Sequence, residues 1–337
     1  MSEKIKEELV DWRDVELVRA IDWNKINEFD KEIWDRLTGN FWLPEKISLT
    51  SDLASWATLT PEEKHSVSMV FAGLTLLDTI QARVGALTLI PDARTPHEVD
   101  IYLQIAHMES IHAKSYSSIF STLLSTEEID EIFRWSAENE FLRKKAAIVL
   151  NYYRGDDPEK RKIASTLLES FLFYSGFFMP LWWASKSKLV ATADIITLIL
   201  RDESVHGAYI GAKFGEAFRE ATPARQAELR EFADELFWAL YENELHYTEM
   251  IYDSMGITEH VKTFLRYNAV KAFQNLGLEE PDFGDENMEV LPQILAALDP
   301  GGNANHDFFS SSSSSYIIGS SQNAEIAEDD WESMFDD

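Results

Sequence analysis

Ile105-Ala-His-Met-Glu-Ser-Ile-His-Ala-Lys-Ser-Tyr116 reads as the middle of a helix. Glu109 and His112 stand three residues apart, and Tyr116 follows four residues later. At about 3.6 residues per turn these three side chains share one face. A Glu-x-x-His pair on a bundle helix is one half of a dinuclear carboxylate metal centre. A second copy lies downstream as Glu203-Ser-Val-His206.

Composition alone yields about one Glu-x-x-His by chance in such a chain, so a single match carries little weight. A third copy, Glu62-Glu-Lys-His65, follows Thr60-Pro61, an N-cap and N1 proline, with Glu63 in the capping-box position. Its polar surroundings make it a first-turn surface feature. The pairs at 109/112 and 203/206 sit instead within apolar helices, where an unpaired carboxylate is costly. Cations that neutralise several buried carboxylates together remove that cost.

The pattern along the chain is helical, with no convincing strand. Long helices are predicted over residues 61–89, 97–124, 125–153, from 158 onward, 191–220, 224–254 and 258–275, the first carrying a lone Asp78 on an apolar stripe. Ser125 and Glu128 form a second capping box, and residues 52–60 read as a connection. Glu169 lies in Leu-Leu-Glu-Ser-Phe, with Phe173 and Phe177 on its stripe. Glu242 and His246 are left aside, because Glu244 and Glu249 beside them suggest a solvated face. Trp42, in Asn40-Phe-Trp-Leu-Pro-Glu45, is most simply a buried anchor.

Four helices therefore each offer acids to a common centre: Asp78, Glu109 with His112, Glu169, and Glu203 with His206. Four carboxylates and two imidazoles make the ligand set of a di-iron or di-manganese site, and oxygen-rich ligation without thiolate suits Fe or Mn. Two divalent ions balance the four negative charges. Tyr116 falls roughly 6 Å beyond His112 on the same face, at about 1.5 Å per residue. It is either a core phenol bonded to a ligand carboxylate or a one-electron donor in a dry pocket, with Phe173, Phe177 and Ile199 as candidate walls.

The segments Leu37-Thr-Gly-Asn-Phe-Trp-Leu-Pro-Glu45 and His107-Met-Glu-Ser-Ile-His-Ala-Lys-Ser-Tyr-Ser-Ser-Ile-Phe-Ser-Thr122 resemble the small, radical-generating subunit of class I ribonucleotide reductase, in its class Ib branch. The resemblance covers nearly all the chain after about residue 20. It implies an all-α, ferritin-like helical bundle that forms a homodimer. It implies metal ligands at Asp78, Glu109, His112, Glu169, Glu203 and His206, with Glu109 and Glu203 bridging. It implies two Mn or two Fe ions per chain and a tyrosyl radical on Tyr116. Trp42 and Asp202, with His112, match the start of a relay, and Tyr316 matches the tail tyrosine that hands the radical to a large catalytic subunit. The last dozen residues match that subunit's docking peptide, and a flavodoxin-like activase is implied as the source of oxidant. All three carboxylates replaced in the metal-free branch, Glu109, Glu169 and Glu203, are present.

Composition agrees. The 337 residues include no Cys, which removes disulfides, thiolate metal sites and dithiol chemistry from this chain. A chain that supplies a radical and leaves reduction to a partner needs none. The net charge of −29 argues against nucleic acid and anionic membranes as partners. The charged N-terminus shows no signal region, and the longest apolar run, residues 171–184, is short for a membrane span and holds Pro180, so a cytoplasmic protein is expected. The division expected is a helical domain over 1–290 and a flexible tail over 291–337. Residues 301–337 carry eight acids and no Lys or Arg, yet Trp331, Met334 and Phe335 among them suit a segment that folds onto a partner. Two other readings keep the fold and change the role: a ferritin-like dimetal oxidase, hydroxylase or desaturase, and a metal-storage or scaffold protein.

Overall fold

The computed structural model describes residues 19–298, and these form helices and turns with no strand. Helix starts are written plainly in the sequence. Thr60-Pro61, Thr95-Pro96, Asp157-Pro158 and Thr222-Pro223 each pair a capping side chain with a proline at the first helical position, where the missing N–H costs nothing. They open α2 (Pro61–Ile80), α3 (Pro96–Leu123), α6 (Pro158–Leu167) and α9 (Pro223–Tyr252), after a shorter α1 (Glu28–Gly39). Both expected capping boxes are present, Thr60 with Glu63 and Ser125 with Glu128.

The helix expected over 125–153 is two. Asn139 takes an extended conformation and accepts a hydrogen bond from the Leu142 amide, separating α4 (Thr126–Glu138) from α5 (Glu140–Tyr153). Two further departures from regular α-helix fall in α2 and α6. The first runs on through a π-turn, Gln81–Gly85, and the second through another, Leu168–Leu172, into α7 (Tyr174–Ala184). Single π-turns are uncommon and concentrate at functional sites. The long helix α8 (Val190–Glu220) begins differently: its N-cap, Leu189, is left-handed and offers no side-chain bond. Asp52 supplies the cap from afar, accepting the Ala191 and Thr192 amides at 3.1 and 2.7 Å and the Thr192 hydroxyl at 2.7 Å.

Helices α2, α3, α8 and the α6–α7 pair pack in a ring, and α5, α9 and α10 (Thr258–Leu276) close over it. A short α11 (Pro292–Leu298) lies on α7 and α8 with Ile294 buried, so packed residues continue past residue 290. The helical stretch Pro61–Asp92 is, by length and composition, apolar enough to span a membrane, but 67% of its most apolar window is buried inside the protein. Its hydrophobicity serves the bundle core. Tyr316 and the acidic, aromatic end of the chain lie outside the described residues.

Candidate metal centre

All six expected ligands converge. Asp78 comes from α2, Glu109 and His112 from α3, Glu169 from the π-turn Leu168–Leu172, and Glu203 and His206 from α8. Each is at most 1% exposed. They form two overlapping groups, Asp78–Glu109–His112–Glu203 and Glu109–Glu169–Glu203–His206, with the donor atoms in each within 4.8 Å of one another. Glu109 and Glu203 belong to both, the arrangement of bridging carboxylates. Both imidazoles turn Nδ1 inward. His112 Nδ1 stands 3.0 Å from Glu203 Oε1 and 3.5 Å from Glu109 Oε2, and His206 Nδ1 stands 2.8 Å from Glu109 Oε1.

The donors fit a pair of cations and little else. Both oxygens of Asp78, both of Glu203 and Oε2 of Glu169 are buried without a hydrogen bond, which folded proteins tolerate only where something else satisfies them. Burial and the neighbouring Glu109 charge push the Asp78 and Glu169 carboxyls well above their ordinary range. Burial opposes a charged His112, but the Glu109 charge and the close carboxylates of Asp202 and Glu203 outweigh it and raise its pKa. The cluster thus calls for positive charge. Hard oxygen donors with imidazole and no thiolate suit Mn or Fe.

Tyr116 is fully buried one helical turn beyond His112, and its hydroxyl has no hydrogen-bond partner. A core phenol bonded to a ligand carboxylate is therefore not what is found. Burial, then the Asp78 charge, pushes its pKa well above 10.0, so the phenol is neutral. The Phe71 ring stacks 5.9 Å away, and Phe173, Phe177 and Ile199 are wholly buried in the same core cluster.

Trp42 is buried, but as more than an anchor. Its indole Nε1–H donates to Asp202 Oδ2 at 2.7 Å, and His112 Nε2 lies 3.2 Å from the same oxygen. Nε2–H of His112 therefore faces Asp202, so that a cation in the cluster would take the Nδ1 lone pair. The Trp42 ring lies nearly parallel to that of His112 at 6.1 Å. Arg201 steadies the segment by donating to the Asn40 carbonyl at 2.6 Å.

Glu62 and His65 are exposed on the first turn of α2, as their polar setting suggests, and Glu242 and His246 are also exposed. Glu244 is different. The solvated face assigned to it is wrong, because it is fully buried and clasps Lys145 Nζ with both oxygens at 2.9 and 2.7 Å. Sequence reasoning also passed over Gln81 and Tyr153, which reach Glu169 through hydrogen bonds. The available signal was an amide three residues after Asp78 on an apolar stripe.

The family model for the ribonucleotide reductase small chain matches residues 20–288. A ribonucleoside-diphosphate reductase subunit beta of Mycobacterium leprae is 59% identical over 320 residues, covering 94% of this chain and 97% of its own. The ribonucleoside-diphosphate reductase 2 subunit beta of Escherichia coli is 52% identical over 315 residues, covering 93% and 98%. The crystal structure of dimanganese(II)-NrdF from Streptococcus sanguinis superposes with a TM-score of 0.81 at 50% identity, covering 84% of this chain and 100% of that one. The chain belongs to the ribonucleotide reductase small-chain family, in the class Ib branch.

Proposed function

We propose that this chain is the radical-generating subunit of a class Ib ribonucleoside-diphosphate reductase, holding two Mn or two Fe ions among Asp78, Glu109, His112, Glu169, Glu203 and His206. The observation that carries the reading is a dry, unpartnered Tyr116 hydroxyl one turn from two overlapping ligand groups. The cations, once bound and oxidised, supply a one-electron oxidant for the Tyr116 phenol. The protein does the rest. Glu109 and Glu203, common to both ligand groups, would hold both ions, and Asp202 fixes the ring of His112 through Nε2–H. The walls around Tyr116 keep water and reductants from the radical.

From there the oxidising equivalent passes along His112, Asp202 and Trp42 and, by way of Tyr316, to a large catalytic subunit. The segment after α11 serves that subunit, with its last dozen residues as the docking peptide, while α11 belongs to the helical domain. A homodimer, a cytoplasmic setting and a flavodoxin-like activase complete the proposal. A chain without cysteine cannot supply the dithiol for ribonucleotide reduction, so the substrate chemistry resides on the partner.

The test is spectroscopic. Metal-loaded, oxidised protein gives a tyrosyl electron paramagnetic resonance signal that disappears in Tyr116→Phe while the metal content holds. A tyrosyl signal that persists in that variant overturns the assignment.

A further inference from the structure

Gln81 opens the π-turn of α2, Glu169 lies in the π-turn that follows α6, and a hydrogen bond ties the two turns together. Gln81 Nε2 donates to Glu169 Oε1 at 2.5 Å and to Ser165 Oγ at 3.1 Å. On the other side of the amide, the Tyr153 hydroxyl donates to Gln81 Oε1 at 2.6 Å. Gln81, Ser165 and Glu169 are fully buried and Tyr153 is 1% exposed. Room for this arrangement is built into the chain. A Cβ at Gly85 would lie 1.8 Å from Gln81 Oε1 and 2.7 Å from the Tyr153 ring.

The polarity of the network is forced. With cations bound beside it Glu169 is an ionised carboxylate that only accepts, so the amide must present its NH2 to Glu169, and its carbonyl then needs a donor. Tyr153 is that donor. Glu169 is left with two unlike oxygens: Oε1 is held by Gln81, while Oε2 has no hydrogen bond and stands 3.7 Å from His206 Nδ1.

Resting on the dinuclear centre proposed above, we infer that Gln81 is a positioning residue that restricts Glu169 to binding its cation through one oxygen, with Tyr153 fixing the orientation of the amide. A carboxylate using one oxygen leaves that cation one protein donor fewer than a chelating carboxylate does. The Tyr153–Gln81 pair therefore controls how crowded the Glu169–His206 cation is, without touching it. Outer partners of this kind commonly change metal affinity or activity by about 10- to 100-fold.

The experiment adds manganese(II) to metal-free, full-length protein and needs no oxidation or turnover. Wild type, Gln81→Met and Tyr153→Phe are compared by metal content, thermal unfolding and the electron paramagnetic resonance spectrum of the manganese(II) form. The expected result is a changed spectrum, or selective loss of one of the two ions, in Gln81→Met, with a smaller change of the same kind in Tyr153→Phe. Two bound ions and a wild-type spectrum in both variants overturn the inference. If Gln81→Met does not fold, Tyr153→Phe alone decides, since it removes one hydroxyl. Failure of wild type to bind two ions is a separate result, and it refutes the dinuclear centre itself.

Discussion

Replacing Trp42 with Phe separates radical formation from radical transfer. The cost to the fold follows from its surroundings. Asp202 is fully buried; its Oδ2 accepts from Trp42 Nε1 and faces His112 Nε2, and its Oδ1 lies 3.5 Å from Arg201, so the variant deletes the shortest of three contacts to a buried carboxylate. A hydrogen bond to a charged group contributes about 1.5–3 kcal/mol. The smaller ring also leaves about 40 Å³ unfilled, which at about 24 cal/mol per Å³ adds about 1 kcal/mol. The sum, about 2.5–4 kcal/mol, lowers Tm by about 5–8 °C at the roughly 2 °C per kcal/mol suited to a large domain. The protein therefore stays folded at room temperature with its ligands and the walls around Tyr116 in place. Phe offers no oxidisable indole and no N–H to Asp202, so on the proposed relay the oxidising equivalent should stop at His112. Spin counting of the tyrosyl radical, metal content and deoxyribonucleotide production with a large subunit should give a wild-type radical, two ions and no turnover. Wild-type turnover in the folded variant would refute the assignment of Trp42 to the relay.

Three further outcomes are expected. Deleting residues 325–337 should leave the radical intact and abolish reductase activity with the large subunit; full activity after truncation removes the docking role. Lys145→Met strands the buried Glu244 carboxylate and should cost about 3–5 kcal/mol, whereas Lys145→Met with Glu244→Leu should recover most of it, because removing both partners of a buried pair is close to neutral; denaturant unfolding of the two single variants and the double gives the answer, and simple additivity would refute the coupling. Burial raises the Asp157 carboxyl, but the Arg225 guanidinium, 2.6 Å from both its oxygens, outweighs that and holds it below its ordinary 3.8. A depressed carboxylate stabilises above its unfolded pKa and loses that contribution as pH falls through the folded value. The Tm difference between wild type and Arg225→Leu should therefore persist at neutral pH and shrink below about pH 3.8, and a gap that widens in acid contradicts this.

Much of the centre was legible because its donors recur at helical spacing. Glu109 with His112 and Glu203 with His206 stand out only once the flanking residues are seen to be apolar, and the same flanks separate them from Glu62 with His65, which the structure leaves in solvent. Asp78 was readable as an acid that an apolar stripe could not otherwise hold. Trp42 and Asp202 were different. Their bond joins residues 160 positions apart, and no local pattern encodes it, so only the family resemblance pointed there. Gln81 and Tyr153 were missed for the same reason, and π-turns have no reliable sequence signature. Glu244 was misjudged because charged neighbours along α9 imitate a wet face, while its partner Lys145 lies on another helix. The break at Asn139 was hidden by good helix formers on either side, although Asn caps well.

The Asp52 carboxylate, pinned to the first amides of α8, has a reach beyond helix capping. The same stretch of chain grips α8 twice more, through the Asn40 carbonyl on Arg201 and the Trp42 indole on Asp202. Residues 40–52 thus act as a splint lashed along α8 at three points. Tunnelling rates fall steeply with separation, so a wobbling indole would make the transfer step erratic. If the proposed relay runs through Trp42, the splint holds its indole at a fixed distance, and loosening Asp52 should broaden the spread of transfer rates while leaving the metal ions and Tyr116 undisturbed.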